Sequence, residues 1–481
     1  MRPSRLLLAA ALFAPLVPAH AQHARPTGKI NDLYAQLCAN CHGKNLEGAQ
    51  APSMLDDVWT AGGDDESLAK SIRNGFPEKG MPAWGAAIPE KEVRAMVIFI
   101  RERRANHERE KATAAPKIQG PITAKTELHS FTLDTWVDKL AEPYGLAFLG
   151  KDRAIVTEKK GAAYLIETGK RAETPIAGMP KVDTAQQAGL YDVVPHPKFA
   201  QNGWLYFAFA DPKERPDPKD ATKTEKVSLT KIIRGKIKDN ALIQQETIYE
   251  ADVAHYIKAG GVHFGGRIAF DKQDNIYFVV GERGTKMLVQ DLTLPVGKVH
   301  RLRDDGQLPP DNPYAKDPKA IKSVWSSGHR NPQGLAIDPR NGDIYDAEHG
   351  PRGGDELNLV GKGKNYGWPV ISYGMEYDGS ALTDLTHKEG MEQPVVYWLP
   401  SIAPCGINFY TGDSFPKWKN NLFLASLAAM ELRRIEIKDQ KVVKQEVIFK
   451  NAGRIRHVIG GPDGAIYVLL PERIARLTPA Q

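Results

Sequence analysis

The spacing of apolar residues changes along the chain from a helical period to a strand period. In residues 30–37, 66–73 and 89–100, apolar side chains recur every three or four positions, which predicts three amphipathic helices. Asn74-Gly75 marks the end of the second helix, and Pro89 marks the start of the third. The first part of the chain is therefore expected to form a small all-α domain.

Beyond residue 127 a different unit recurs six times. Each copy has a short apolar strand, a polar turn rich in Asp, Asn, Gly or Pro, and an aromatic or β-branched strand. The copies begin at Ala147, Val193, Ile268, Leu335, Ile407 and Val458. Such units predict an all-β six-bladed propeller, because blades stack around an axis without long free edges. A β-sandwich with long loops is the alternative.

Two polar stretches lack any apolar period. Residues 111–127 predict a linker between the domains, and residues 211–226 predict a solvated loop within the propeller. The helical domain is therefore placed at residues 25–110 and the propeller at residues 128–481.

The N-terminus has the pattern of a secretory signal peptide over residues 1–21. Arg2 and Arg5 precede an apolar run that is too short to span a bilayer, and a small-x-small cleavage site ends at Ala21. No other stretch is long and apolar enough for a membrane span. We therefore expect the mature protein to be periplasmic.

The composition excludes several classes of protein. The net charge is +6 over 481 residues, with acidic and basic residues interspersed, so neither nucleic acid nor a membrane surface is an expected partner. Only three cysteines are present, which excludes a disulfide framework. Two of them belong to the motif described next, and Cys405 is expected to be a small buried side chain.

Cys38-Ala39-Asn40-Cys41-His42 is the most specific chemical motif in the chain. Two thiols separated by two residues and followed by histidine are what covalent attachment of a c-type haem requires. Cys38 and Cys41 would bond the haem vinyl groups, and His42 would bind the iron. A redox pair does not need the histidine, and a zinc site would need more ligands nearby. The motif therefore predicts haem c.

Several loops of the predicted propeller are polar and glycine-bearing, and they contain Arg330, Arg454, Arg456 and His263. Propeller sites lie on loops at the mouth of the central channel. Because arginine binds carboxylates through paired hydrogen bonds, such a ring would suit a planar ligand with several negative charges. A surface salt bridge is the alternative for each arginine alone.

Three helices around the CxxCH motif resemble the class I cytochrome c domain. That family supplies a methionine as the sixth haem ligand, from a loop between the last two helices. Gly80-Met81-Pro82 stands at this place, so Met81 is the expected ligand and Met54 is the rival. A thioether ligand favours reduced iron and raises the reduction potential.

From about Tyr144 to its end, the chain resembles the soluble pyrroloquinoline quinone (PQQ) sugar dehydrogenases, the aldose and glucose dehydrogenase family. The motifs that carry the resemblance are GHRNPQGLA at 328–336, the GP and DE-N elements of 350–358, NYGWP at 365–369, and the Arg-x-Arg of 454–456. The resemblance implies a six-bladed propeller that oxidises a sugar with PQQ and calcium.

The resemblance also implies roles for individual residues. His263 matches the general base that takes the proton of the anomeric hydroxyl while C1 delivers hydride to the quinone. Gln187 and Arg330 match residues beside the reactive quinone oxygens, where Arg330 would stabilise the oxyanion.

Asn331, Arg454 and Arg456 match residues that contact the cofactor. Gly350 and Pro351 match positions whose main-chain carbonyls hold the catalytic calcium, and Glu356 and Tyr366 match residues at a second, structural calcium. Two positions depart from the family. Ala428 stands where the family often has a cofactor-binding lysine, and Glu282 where an aspartate usually orients the histidine.

Together these patterns predict a quinohaemoprotein that oxidises an aldose at C1 to the lactone. Electrons would pass from PQQ to the fused haem, and from there to a soluble cytochrome or copper protein. Three alternatives stay open. They are a dehydrogenase of the same fold for sorbosone or another aldehyde, a calcium-dependent lactonase, and an electron carrier that uses the propeller for docking.

Overall fold

The computed structural model describes residues 29–113 and 120–480. The predicted signal peptide, residues 1–21, lies outside this range. None of the described helices combines the length and the apolar character that crossing a membrane would take.

The N-terminal domain is helical, as predicted. Its elements are α1 Ile30–Leu37, α2 Ala39–His42, α3 Asp65–Asn74, the 3-10 turn Pro77–Lys79, and α4 Glu90–Thr113. The apolar faces of α1, α3 and α4 meet in one core around Leu33, Ile72 and Phe99. Asp64 caps α3, because its side chain accepts the main-chain N–H of Ser67 at 2.9 Å.

Six antiparallel sheets, here called blades, form the remainder of the described chain. The closing blade combines β1 Ile122–Lys125 and β2 Ser130–Val137 with β24 His457–Gly460, β25 Ile466–Leu470 and β26 Arg473–Pro479. Blade 1 contains β3 Pro143–Phe148, β4 Arg153–Glu158, β5 Ala163–Glu167 and β6 Lys170–Arg171. Blade 2 contains β7 Leu190–Pro195, β8 Leu205–Asp217, β9 Asp220–Lys238, β10 Ala241–Tyr249 and β11 Ile257–Lys258.

The next three blades have four strands each. Blade 3 contains β12 Gly265–Phe270, β13 Asn275–Val280, β14 Lys298–Arg303 and β15 Val324–Ser327. Blade 4 contains β16 Pro332–Ile337, β17 Ile344–Glu348, β18 Asp355–Leu359 and β19 Val396–Trp398. Blade 5 contains β20 Pro404–Phe409, β21 Leu422–Ser426, β22 Glu431–Lys438 and β23 Lys441–Lys450. The short helix α5 Phe199–Asn202 and 3-10 turns at Val253–His255, Lys286–Gln290 and Pro416–Trp418 connect strands.

The blades surround a central axis, which confirms the propeller and rules out the sandwich. The first strands of neighbouring blades pack against one another, as β12 does with β7 and β16. Strand β2 pairs with β26, placing Leu133 opposite Leu477, so the two ends of the propeller close the ring together.

Two polar stretches are more ordered than their sequences predict. The loop interpretation of residues 211–226 was wrong, because they form the outer part of a hairpin in which Asp211 pairs with Leu229. Both faces of this hairpin are largely solvated, so its strands show no apolar alternation. In the predicted linker, α4 continues to Thr113 and β1 occupies 122–125, where it pairs with β2.

A segment of residues 360–395, here called the long loop, joins β18 to β19 without a helix or strand of its own. Loops of this length are uncommon in compact domains and are usually functional or disordered. Met375 of this loop is 1% exposed and packs into the core of the helical domain. The long loop of the propeller therefore contacts the helical domain.

Candidate functional site

The predicted propeller residues lie at one end of the ring, in loops that enter a first strand or leave a second strand. Gln187 precedes β7, His263 precedes β12, Arg330 and Asn331 precede β16, Arg454 and Arg456 precede β24, and Gly350 and Pro351 follow β17. Because the strands of a blade are antiparallel, the start of its first strand and the end of its second share one edge. The first strands pack together, so these loops converge on the axis.

His263 is fixed by two hydrogen bonds. Its Nδ1 hydrogen bonds to Oε1 of Glu282, and its main-chain N–H donates to Oε1 of Gln187 at 2.9 Å. Glu282 is held in turn, since the main-chain N–H of Lys286 donates to its Oε2 at 2.5 Å. Gly281 permits this approach, because a Cβ there would lie 2.2 Å from the carbonyl oxygen of His263. Glu282 occupies Nδ1 and leaves Nε2 as the ring nitrogen for a substrate.

The electrostatics keep this histidine neutral. Burial lowers the pKa of His263 below its ordinary value, the hydrogen bond to Glu282 opposes that effect, and the positive charge of Arg330 adds to it. Burial raises the pKa of Glu282, but its hydrogen bond to His263 and further contacts lower it overall. A neutral imidazole oriented by a carboxylate is the arrangement of a general base. His263 also has φ of 59°, an unusual conformation for a residue other than glycine.

Arg330 lies next to this pair. Its Nη1 donates to the carbonyl oxygens of His349 at 3.0 Å and Gly350 at 2.7 Å, and its guanidinium faces the ring of Trp368 at 5.2 Å. Its Nε is buried and, within the described residues, has no hydrogen-bond partner. An unpaired buried donor costs about 1–3 kcal/mol, so an acceptor supplied by a ligand would fit here.

Arg454 and Arg456 supply two more positive charges. Nη1 of Arg456 donates to Oε1 of Gln333 at 3.3 Å and lies 3.5 Å from Sγ of Cys405, which is buried as predicted. Partial burial of the guanidinium and then the charge of Arg456 lower the pKa of Arg454. Across residues 29–113 and 120–480, neither of these arginines nor Arg330 pairs with a carboxylate. A group of unneutralised guanidiniums fits an anionic ligand.

Asn331 is built into the wall of this pocket. Its Oδ1 accepts hydrogen bonds from Nε2 of Gln333 at 3.0 Å and from the main-chain N–H of Gly265 at 3.4 Å. Its own main-chain N–H donates to Oε2 of Glu348 at 3.3 Å. The amide oxygen is therefore used within the protein.

Three further residues of the pocket were not predicted from the sequence. His349 is half-buried with Nε2 against the carbonyl oxygen of Pro404 at 2.8 Å, and the burial of its ring together with nearby arginines lowers its pKa to about 3. Trp368 lies under the guanidinium of Arg330, and the hydroxyl of Tyr377 is 3.4 Å from its Nη2. Trp368 falls within the NYGWP motif and His349 directly precedes the GP element at 350, so both could have been found, whereas Tyr377 had no signal.

The loop after β17 is held rigidly. The main-chain N–H of Gly350 donates to Oδ1 of Asp355 at 2.9 Å, and Oδ2 of Asp355 accepts from Oγ of Ser401 at 2.5 Å and from the main chain of Ala403 at 2.7 Å. Burial, partly offset by these hydrogen bonds, raises the pKa of Asp355 to about 6. Gly350 and Pro351 are both buried. The carbonyl of Gly350 faces Arg330 and therefore the pocket.

A cluster of buried acidic groups lies behind this loop. Nδ1 of His329 is 3.0 Å from Oδ2 of Asp346 and 3.3 Å from Oε1 of Glu348, and Nδ2 of Asn358 donates to both carboxylates. Burial lowers the pKa of His329, but the two carboxylates raise it overall to about 9. Burial and the charge of Glu348 hold the pKa of Glu356 well above its ordinary value.

Two carboxylates, of Asp346 and Glu348, therefore share one imidazolium, and Asn358 also donates to Oε2 of Glu356 at 3.5 Å. Carboxylate oxygens in such a cluster suit a hard cation. Tyr366, expected beside Glu356, stacks on the ring of His329 with centroids 4.6 Å apart. Its hydroxyl donates to the carbonyl of Leu359 and accepts from the main-chain N–H of Gly361 at 2.8 Å. Its hydroxyl is thus occupied within the protein.

The CxxCH motif forms one tight turn. Cys38 ends α1, while Cys41 and His42 lie on α2, and the carbonyl of His42 accepts the main-chain N–H of Gly48 at 2.9 Å. Burial lowers the pKa of His42, and the carbonyl of Pro52 opposes this effect. Burial, with the charge of Cys41, raises the pKa of Cys38 to about 11. Two thiols and a neutral imidazole on one turn match the ligand chemistry of haem c.

Two thioethers stay candidates for the sixth iron ligand. The main chains of Met81 and Phe76 exchange hydrogen bonds of 2.9 and 3.1 Å, which fixes the loop between α3 and α4. Met54 packs against the core of the helical domain, and its carbonyl accepts a hydrogen bond from Arg104 at 3.1 Å.

Comparison with known proteins agrees with this geometry. Residues 140–478 match the family described as Glucose / Sorbosone dehydrogenase, and residues 26–100 match the family described as Cytochrome C oxidase, cbb3-type, subunit III. The aldose sugar dehydrogenase YliI of Escherichia coli is 36% identical over 71% of this chain and 90% of its own length. The quinoprotein glucose dehydrogenase B of Acinetobacter calcoaceticus is 25% identical over 72% of this chain and 86% of its own length.

Solved structures show the same relationship. The soluble aldose sugar dehydrogenase from E. coli in its apo form superposes with a TM-score of 0.67 at 34% identity, covering 73% of this chain and 100% of that protein. A crystal structure of a glucose dehydrogenase gives the same TM-score at 37% identity, covering 73% of this chain and 99% of that one. The chain therefore belongs to the glucose/sorbosone dehydrogenase family, with a cytochrome c domain ahead of its propeller.

Proposed function

We propose that this chain is a PQQ-dependent aldose dehydrogenase that passes electrons through its own haem c to an external acceptor. The observation that carries the proposal is the group of Arg330, Arg454 and Arg456 without carboxylate partners, beside the His263–Glu282 pair. Two relatives support it by name, one as an aldose sugar dehydrogenase and one as a quinoprotein glucose dehydrogenase.

The pocket has the chemistry to hold PQQ, an anionic planar quinone. Arg454 and Arg456 would bind its carboxylates, and the unpaired Nε of Arg330 would donate to a quinone oxygen. The carbonyls of Gly350 and Pro351 would bind a calcium ion, a hard cation that prefers oxygen ligands. When bound, the quinone would accept a hydride from C1 of the sugar, with calcium as a Lewis acid. The carboxylates of Asp346 and Glu348, with Glu356 beside them, would suit the second calcium.

His263 would hold the proton that the reaction releases. Nε2 of the neutral ring would take it from the anomeric hydroxyl as the C1–H bond breaks, and the sugar would leave as a lactone. Glu282 would keep the ring in the required tautomer and stabilise the imidazolium. Arg330, whose Nη1 bonds to the loop at Gly350, would hold this loop and the quinone in a fixed relation.

The cytochrome domain would complete the electron path. Cys38 and Cys41 would attach the haem, His42 would bind its iron, and the haem would accept the two electrons of each sugar one at a time. A soluble cytochrome or a copper protein would reoxidise it. Attachment of this kind belongs to exported proteins, which agrees with the signal peptide proposed for residues 1–21.

Replacing Glu282 with glutamine should shift the pH profile of sugar oxidation. The carboxylate raises the pKa of His263, so its removal lowers that pKa and moves the acid limb of kcat/KM to lower pH. The rate at neutral pH should fall by roughly tenfold or more, because the ring loses its orienting acceptor. Dye-coupled kinetics across pH measure both effects. An acid limb that stays in place or moves to higher pH would contradict the assignment.

Replacing Arg456 with glutamine should weaken PQQ binding. Hydrogen bonds to charged groups contribute about 1.5–3 kcal/mol, so the Kd for PQQ should rise by about ten- to a hundredfold. Titration of the apoprotein with PQQ in the presence of calcium measures this constant. Arg303→Gln is the matched control, since Arg303 is exposed at the end of β14. Equal affinities for the two variants would remove Arg456 from the binding site.

Replacing Met81 with alanine should lower the haem reduction potential by on the order of 0.1 V, because the iron loses a thioether ligand that favours its reduced state. Met54→Ala is the matched control and should leave the potential within a few hundredths of a volt. Redox titration of the haem spectrum measures both variants. The reverse result would assign the sixth position to Met54.

The function itself is tested by dye-coupled assays on protein loaded with PQQ and calcium. An aldose should reduce the dye only when PQQ is present. Lactone hydrolysis with calcium alone would favour the lactonase, and sorbosone as the preferred substrate would favour the related aldehyde dehydrogenase. If the protein binds PQQ but acts on none of these substrates, the remaining alternative is an electron carrier that uses the propeller for docking.

A further inference from the structure

The cytochrome domain sits on the end of the propeller that carries the pocket. The main-chain N–H of Ile30 donates to the carbonyl of Gly379 at 2.8 Å, and Nη2 of Arg94 donates to the carbonyl of Thr383 at 2.5 Å. Met375 inserts into the core between α1 and α4. All three propeller partners belong to the long loop, so the cytochrome covers it with both apolar and hydrogen-bonded contacts.

An ion pair joins α4 to the loop after β17. Nη2 and Nε of Arg352 lie 2.7 and 2.8 Å from Oε2 of Glu102, and their side chains are 23% and 18% exposed. Such a partly buried, forked pair is stronger than an ordinary surface ion pair. The side chain of Ile98 also packs against this loop, because a Cβ at Gly353 would lie 3.2 Å from Cγ2 of Ile98. Arg352 directly follows the proposed calcium ligands Gly350 and Pro351.

The same helix reaches the next blade. Nη1 of Arg109 donates to the carbonyl of Ala428 at 3.2 Å, in the loop after β21. That loop is bonded to the arginine segment, since the carbonyl of Ser426 accepts the main-chain N–H of Ile455 at 3.1 Å. Helix α4 therefore bridges the pocket loops of blades 4 and 5.

The long loop carries the contact further into the pocket. Tyr377, whose hydroxyl is 3.4 Å from Nη2 of Arg330, lies two residues before Gly379, which is bonded to the cytochrome. The other aromatic contact of Arg330, Trp368, also belongs to this loop. The two aromatic residues that contact Arg330 thus belong to a loop that the cytochrome also contacts.

We infer that the cytochrome domain is a fixed wall of the quinone pocket, and that electrons reach its iron while α4 stays docked on these loops. The inference rests on the proposed function and adds the route of transfer. Glu102 and Arg352 are positioning residues, which act by holding α4. Each sugar loses two electrons, the haem gains them singly, and an external one-electron acceptor removes them, so no other reactant is needed.

Charge reversal at Glu102 tests this inference in the full chain loaded with PQQ and calcium. Glu102→Lys places two cations together and should release α4, whereas Glu108→Lys makes the same change on an exposed side of the same helix. Stopped-flow mixing with an aldose gives the rate of haem reduction. An artificial dye that takes electrons from the propeller gives the rate of sugar oxidation. The haem spectrum of each variant, reduced with ascorbate, shows whether its cytochrome is folded.

For a docked wall, Glu102→Lys should slow haem reduction by about tenfold or more, because the effective concentration of haem at the pocket falls. The dye-coupled rate should stay within about twofold, and Glu108→Lys should behave as wild type in both assays. Equal rates of haem reduction in Glu102→Lys and Glu108→Lys would overturn the inference. Wild-type protein that fails to reduce the dye would instead contradict the proposed function. In wild type the haem rate should also not change with added viscogen; a rate that falls in proportion to viscosity would indicate a moving shuttle.

Discussion

Replacing His263 with alanine should slow sugar oxidation by about 10²–10⁴-fold, the contribution of a well-placed general base. Nδ1 of His263 is hydrogen-bonded to Glu282, and the main-chain N–H of His263 donates to Gln187. Alanine therefore removes the proton acceptor and its bond to Glu282, and keeps the main-chain contact with Gln187. The loss should appear in kcat, with PQQ affinity nearly unchanged, because the guanidiniums that would bind the cofactor are untouched.

Dye-coupled kinetics with saturating PQQ and calcium measure this loss. His387→Ala is the matched control, since His387 is exposed in the long loop and away from the pocket residues described above. In the wild type, the pH profile of sugar oxidation should have an acid limb from His263, whose pKa lies below 6.5, the ordinary value for histidine. The remaining activity of the alanine variant should lack this acid limb. A near-normal rate in the variant would remove His263 from the mechanism.

Replacing both Cys38 and Cys41 with alanine should abolish covalent haem, and with it the sugar-driven reduction of the cytochrome. Each thiol forms one thioether bond, and the imidazole of His42 alone does not hold the haem over the turn. Sugar oxidation coupled to a dye should persist within about tenfold, because the propeller residues do not depend on the iron for chemistry.

Haem content after denaturation measures the covalent attachment directly. Cys405→Ala is the control, since the third cysteine is buried in the propeller next to Arg456 and should not affect haem content. Covalent haem in the double variant would show that these thiols are not the attachment site. Loss of haem from the Cys405 variant would show that the CxxCH motif alone does not account for haem attachment.

The sequence predicted those parts of the fold that have strong local patterns. The helices at 30–37 and 89–100 have a helical apolar period, although residues 95–100 are all buried in the structure. Each of the six repeating units places its apolar strands in a blade. The hairpin over 211–226 was missed because it has little apolar surface to bury, so its order comes from main-chain pairing that leaves no pattern in the side chains. The structure of the long loop could not be predicted for a related reason, since Met375 buries its side chain in the other domain and not in a local pattern.

The site divides in the same way. Arg330 and His263 stand in motifs with several unusual residues, and the fold brings both to one mouth with Arg456. Glu282, one methylene longer than the expected aspartate, still reaches Nδ1 of His263, which the sequence alone could not decide. The contact of Arg109 with the Ala428 loop is long-range, and such pairs cannot be read from spacing along a chain.

We expect the electrons of the sugar to reach the haem within one polypeptide. The most direct measurement loads purified protein with PQQ and calcium, adds an aldose without any external acceptor, and follows the haem absorbance. The haem should be reduced with a rate constant that does not change when the protein is diluted about tenfold, because the donor and acceptor are joined. Haem that stays oxidised across a broad panel of aldoses, in protein shown to bind PQQ, would contradict it.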